Sequence, residues 1–193
     1  MTQTAEPHTY HWSKAQYYAI AELGFFESQR VELIEGEIIE MSPMSSQHAG
    51  VVVLVQQALA AILREGCYIR VQSTLDVDEV GQPEPDIAVV AGSVRDHMDH
   101  HPTSALLVVE VADTSLRYDR MTKAAIYARA GIAEYWIVNL KDFTLEINRN
   151  PAELEAQPRY GYKLTMRLTR EDTISPLVAP DRQIAVTDLL PQL

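Results

Sequence analysis

The chain has a single cysteine, Cys67. A lone thiol excludes an intramolecular disulfide framework and a zinc site built from cysteines. Cys67 reads as a small buried hydrophobe rather than a reactive thiol. Long apolar runs are also missing. The longest, "AGVVVLV" at 49–55, is too short to span a bilayer. The opening "MTQTAEPHTYHW" has no basic start followed by an apolar stretch, so no secretory leader is expected. The expectation is a soluble cytoplasmic protein with no membrane association. Positive charge is scarce: 16 Lys and Arg face 27 Asp and Glu, for a net charge of −11. A constitutive nucleic-acid binder usually carries a basic face, so this balance counts against that class. Formal charge does not say where the charges lie.

What is present suits a globular core. Hydrophobic residues make up 47% of the chain and charged residues 22%. At 193 residues a single domain over 1–193 is favoured, with no internal repeat and no low-complexity linker. A first helix is predicted from Ser13 to about Leu23, with Ser13 and Gln16 as a capping box and Gly24 as its stop. "RVELIEGEIIEM" alternates on either side of Glu35-Gly36 and predicts a tight hairpin. A second helix is predicted from about Ser45 to Arg64. Ser45 or Ser46 caps it, Gly66 ends it, and its apolar face packs on a sheet. Strands follow near 67–76, 86–91 and 105–111, then a third helix over about Tyr118 to Ala130. "EYWIVNL" is a buried strand, with further strands near 143–148 and 160–168 and a short helical turn at the end. The order predicts an α/β (α+β) fold, a mixed sheet flanked by helices.

Two carboxylates stand out. In "GQPEPDIAVV", Pro83 and Pro85 stiffen the approach to a strand that opens at Asp86. Alone, Asp86 reads as an ordinary turn or capping aspartate. Glu110 lies in "LLVVEVADTSLRYDR", near the carboxyl end of an otherwise apolar strand. Strand ends of that kind are where open α/β sheets place their sites. A buried carboxylate is costly unless it is paired or metal-bound. Two carboxylates on adjacent strands repel unless a cation lies between them, and oxygen ligands suit magnesium or manganese. The alternative is a buried ion pair between Glu110 and a nearby Lys or Arg. Asp119, Lys123 and Tyr127 recur at i, i+4, i+8 along the third helix. They form either a helix-surface pair with an aromatic neighbour or a face that aims Lys123 at the carboxylates.

Taken together, these residues resemble a known family. "PEPDIAVV", "LLVVEVADTSLRYDRMTKAAIYARAGIAEYWIVNL" and "VELIEGEIIEMSPMSSQH" are similar to the Uma-two family, restriction-endonuclease-like proteins of the PD-(D/E)XK nuclease superfamily. The resemblance runs from about Arg30 to Leu140. It implies a restriction-endonuclease-like core and metal-dependent hydrolysis of phosphodiester bonds in nucleic acid, DNA first. Asp86, Glu110 and the backbone carbonyl of Val111 would hold magnesium or manganese. One departure matters. The superfamily's Glu-x-Lys places lysine at 112, where this chain has Ala112. Some members supply the lysine from the following helix, and Lys123 suits that relocation. His48, at the start of the second helix, stands where the superfamily often adds a polar ligand. It also reads as a helix-start histidine without chemistry.

Other features rank lower. Glu32 resembles a recurrent family glutamate and ranks below His48. Glu35 and Glu37 share a hairpin face, and Glu84 is a loop carboxylate. Asp113 and Ser115 read as caps. "RDHMDHHP" gathers Asp96, His97, Asp99, His100 and His101, and reads as a solvated loop in preference to a metal site. Tyr135 and Trp136 serve either a base-stacking platform or, more commonly, the core. Arg64, Arg70, Arg117, Arg120 and Arg129 would make a basic rim if clustered, especially across a homodimer. The competing class is a catalytically silent binding or oligomerisation module that keeps the nuclease fold. The acidic balance favours the silent module; Asp86, Glu110 and Lys123 together favour the enzyme.

Overall fold

The computed structural model describes residues 8–192. Residues 1–7, part of the stretch read for a leader, and residue 193 lie outside the described residues. Helix α1 spans Lys14–Glu22, and Ser13 and Gln16 form the expected reciprocal capping box. The hairpin follows as β1 (Val31–Ile34) and β2 (Glu37–Glu40). Glu35 and Gly36 both take positive φ, +52° and +79°, which is the geometry a two-residue hairpin turn demands.

Helix α2 spans Ser46–Ile62. The Ser45 hydroxyl accepts from the His48 backbone amide at 3.1 Å, which caps the helix and fixes His48 in its first turn. A six-stranded mixed sheet then forms in the order β3-β4-β5-β6-β7-β8. Its strands are β3 (Cys67–Val71), β4 (Ile87–Ala91), β5 (Leu107–Ala112), β6 (Glu134–Asn139), β7 (Thr144–Glu153) and β8 (Tyr160–Leu168). β5 and β6 run parallel; every other neighbouring pair is antiparallel. A small ladder of β9 (Thr173–Ile174) with β10 (Ile184–Ala185) and the expected terminal turn at Val186–Leu189 close the chain.

Period-two alternation sorts the sheet into two faces. Leu107, Val109 and Val111 of β5 pack with Val51, Val52, Val55 and Leu59 of α2. Val108 and Ala112 pack with the opposite layer, which includes Ala124, Ile126 and Tyr127. Glu110 shares that second parity, so it points toward the helical segment that follows β5. Among the described residues no helix is long and apolar enough to cross a membrane.

Three boundaries differ from expectation. β3 ends at Val71 because Gln72 adopts φ +46°, which breaks the extended run. β7 runs on to Glu153, through Pro151. Its partner there is the edge strand β8, and a proline at a sheet's margin is tolerated. The third helix is not a regular α-helix. α3 (Leu116–Tyr118) passes through a π-helical turn at Asp119–Lys123 into α4 (Ala124–Arg129). The wider turn carries both Asp119 and Lys123 inward, each 2% exposed, so the helix-surface pair does not form. Cys67 is half-buried at the margin of the larger core rather than inside it.

Candidate active site

Asp86 immediately precedes β4, and Ile87 pairs with Val109 of antiparallel β5. That register sets Asp86 beside Glu110. The Asp86 amide donates to Oε2 of Glu110 at 3.3 Å, and the Val111 amide donates to Oδ2 of Asp86 at 2.8 Å. On the other side, Oδ1 of Asp86 lies 3.0 Å from Nε2 of His48. An ionised carboxylate only accepts, so this contact puts the ring proton on Nε2. Gln72 donates its amide to the same Oδ1 at 3.2 Å. Burial alone would raise the Asp86 pKa. His48 and the Val111 amide outweigh it and hold the group below the ordinary carboxylate value.

Glu110 is 4% exposed, and its Oε1 accepts from Nζ of Lys123 at 2.9 Å and from the Tyr127 hydroxyl at 2.7 Å. Lys123 also lies 3.4 Å from Oε2 of Glu32. One ammonium thus stands among three buried carboxylates, counting Asp119, whose Oδ2 accepts from the Ser115 hydroxyl at 2.6 Å. Burial pushes the Glu110 carboxyl up to about 8, with Asp86, Asp119 and Glu32 adding to the rise against the opposing pull of Lys123. Burial also raises Glu32 and Asp119. Lys123 moves up from its ordinary value: burial opposes its charge, but Glu110, Glu32 and Asp119 prevail. Lys123 stays an ammonium, and the surplus of acids falls on Glu110.

These groups line a cavity of about 460 Å³ between the hairpin, the 41–45 loop, the start of α2 and the strand ends. Glu32, Glu40, Glu84, Asp86, Glu110, Asp113 and Asp119 face Arg30 and Lys123 on its wall. Glu84 is half-buried, accepts from the Thr74 hydroxyl at 3.3 Å, and lies 3.7 Å from Arg30. Asp113 and Ser115 belong to the wall, and Ser115 makes no side-chain cap of α3. Glu35 and Glu37 point to solvent, and Glu35 pairs with Arg129 at 2.7 Å.

The structure therefore brings Asp86, Glu110, Lys123 and His48 together and sets Val111 against them. Glu110 pairs with Lys123, as the ion-pair reading of the sequence expects, and it also adjoins Asp86. Sequence reasoning missed Gln72. The antiparallel register that pairs Val71 with Ile87 places residue 72 opposite Asp86, but that register is legible only once the strands are paired. Glu32 faces the site and lies in ion-pair range of Lys123.

Burial and pairing decide between the remaining alternatives. Tyr135 and Trp136 are fully buried, so neither offers a stacking surface. The Tyr135 hydroxyl donates to the Asp119 carbonyl, and Trp136 Nε1 donates to Glu134. Three of the five arginines of the expected basic rim have acidic partners. Arg64 pairs with Asp181, Arg120 with Glu146, and Arg129 with Glu35 and Asp78. His97 contacts the Tyr68 hydroxyl and His100 contacts Asp99 in a largely exposed loop, as its solvated reading expects.

The comparisons with known proteins agree with the resemblance drawn from the motifs. A family model, Uma2, described as "Putative restriction endonuclease", matches residues 15–187. A solved structure, described as a "putative nuclease belonging to DUF820 from Anabaena variabilis ATCC 29413", superposes with a TM-score of 0.65. The match covers 83% of this chain and 89% of that one at 13% identity, a likeness of fold. No curated protein matches. A family match across nearly the whole chain, on a sheet that gathers the motif residues at one end, has one meaning: the chain belongs to the Uma2 family of restriction-endonuclease-like proteins.

Proposed function

We propose that this protein is a metal-dependent nuclease that hydrolyses phosphodiester bonds of nucleic acid, DNA first. One observation carries the reading. Asp86, Glu110 and Lys123, from a loop, a strand and a helical turn, converge within hydrogen-bond contact on the wall of a single cavity.

The donor set suits a hard divalent cation. Asp86 and Glu110 supply carboxylate oxygens, and the Val111 carbonyl would add a third. Magnesium and manganese take such ligands with waters completing the shell. Among the described residues no three His, Cys, Asp or Glu side chains are grouped to hold a metal ion, so the Val111 carbonyl and waters would have to complete the shell around the two carboxylates. The surplus of buried carboxylates over Lys123 also favours a cation. A bound magnesium or manganese ion lowers the pKa of a water and polarises a phosphoryl oxygen.

The chain's own residues do the rest. Lys123 keeps a full positive charge at the site and would donate to the attacking water or to the charge that builds on the phosphoryl group. The Val111 amide and His48 fix the Asp86 carboxylate from two directions, which sets its orientation before any ligand arrives. Gln72 adds a third restraint.

A second reading, a silent binding or oligomerisation module, is favoured by the enclosure of Lys123, 2% exposed and already in ion pairs. Cleavage of plasmid and single-stranded substrates separates the two. The nuclease reading expects magnesium-dependent cleavage by the wild type and none by Asp86→Ala. No cleavage by either supports the silent module.

A further inference from the structure

Glu32 is a buried charge without an evident reason. It sits on β1 of the hairpin, outside the six-stranded sheet, and is 1% exposed. Neither Oε1 nor Oε2 takes a hydrogen bond of good geometry, although the Glu84 amide and Lys123 both act on the carboxylate. A buried carboxylate is costly to keep charged unless a cation pairs with it. Among the described residues, the cation within ion-pair range of Glu32 is Lys123, at 3.4 Å. Lys123 stands closer to Glu110, at 2.9 Å, and makes its hydrogen bond there. One ammonium is thus shared unequally between two carboxylates.

The sharing becomes informative when the proposed cation is added. Glu110 is a proposed ligand, and its charge would then be satisfied elsewhere. Lys123 would lose the partner it now favours. The second carboxylate is already in place on the other side of the ammonium.

We propose that Glu32 is the positioning residue that holds Lys123 at the site once Glu110 turns to the metal. Lys123 shifts its main partner from Glu110 to Glu32, and the hairpin becomes part of the catalytic machinery through that contact. The inference rests on the metal-site reading above.

A double-mutant cycle tests it without relying on activity. Glu32→Gln, Lys123→Met and the double variant are unfolded by denaturant, first in chelator and then in manganese chloride. The coupling between the two positions, read as a ratio of unfolding constants, should rise at least about fivefold in manganese. Lys123→Gln replaces Lys123→Met where the latter does not fold. Equal coupling in the two conditions overturns the proposal. Absence of any stabilisation of the wild type by manganese overturns the metal-site reading, and this inference with it. In the cleavage assay Glu32→Gln should lower kcat about 30-fold or more with KM unchanged, and Glu32→Asp, which keeps the charge, should recover part of the loss. Wild-type kcat in Glu32→Gln also overturns it.

Discussion

Nζ of Lys123 stands 2.9 Å from Oε1 of Glu110, thirteen residues earlier in the chain. The family pattern expects lysine at position 112, but Ala112 is fully buried on the sheet face that packs against α4. The π-helical turn at Asp119–Lys123 delivers the ammonium from the opposite wall instead. Lys123→Met should therefore reduce cleavage by about 100-fold or more, the scale of losing a charge that stabilises a transition state. Steady-state cleavage, compared at matched folded fraction, checks this.

Glu110 gives a pH dependence with a defined sign. Its ordinary value is 4.5, and in the folded protein it is pushed up to about 8. The folded state therefore binds a proton at Glu110 more tightly than the unfolded chain does. That binding stabilises the fold fully below about pH 4.5 and is lost as pH rises toward 8. Glu32 and Asp119 shift in the same direction and add to the trend. In chelator, the melting temperature should fall by several degrees between about pH 5 and pH 8, at roughly 2–4 °C per kcal/mol for a chain of this size. Manganese should flatten the slope. Thermal melts across that range, with and without manganese, are the check.

His48 reaches Asp86 from the capped first turn of α2. His48→Ala removes that hydrogen bond and leaves the Val111 amide in place. Outer-shell partners of this kind are worth about 10-fold to 100-fold in metal affinity or activity. Manganese binding should weaken within that range, and His48→Gln, which can still donate, should lose less. Calorimetric titration of the two variants distinguishes them.

Glu134 is the contrasting carboxylate. It is fully buried but lies outside the cavity wall. It accepts from Arg149 at 2.8 Å, from Trp136 at 3.0 Å and from the Leu177 amide at 2.6 Å, tying β6 to β7 and the C-terminal segment. Glu134→Gln breaks a buried pair and should destabilise by about 3–5 kcal/mol. Metal affinity of the folded protein should be unchanged. Denaturant unfolding and metal titration together show whether burial of a carboxylate marks function or only structure.

Much of this arrangement was legible beforehand, for reasons tied to local chemistry. The capping box at Ser13, the Glu35-Gly36 turn and the Ser45 cap are written in adjacent residues, and all three form. Glu110 was readable because charge is unusual inside an apolar strand, and Asp86 became readable only in combination with it. Gln72 was not, because its role depends on which strand lies beside which. Glu32 was visible as a residue but not as a neighbour of Lys123, since the hairpin's docking on the sheet's end leaves no local signature. The π-helical turn escaped because i, i+4 spacing looks the same whether or not one turn is widened. The arginines looked available as a rim only while their carboxylate partners, such as Asp181 and Glu146, were distant in sequence.

Calorimetric titration of manganese into the wild type and Asp86→Ala tests most directly whether Asp86 and Glu110 hold one cation. The expected result is a single site in the wild type, weakened by about 100-fold or lost in the variant. No binding to the wild type, or equal binding to both proteins, would contradict it.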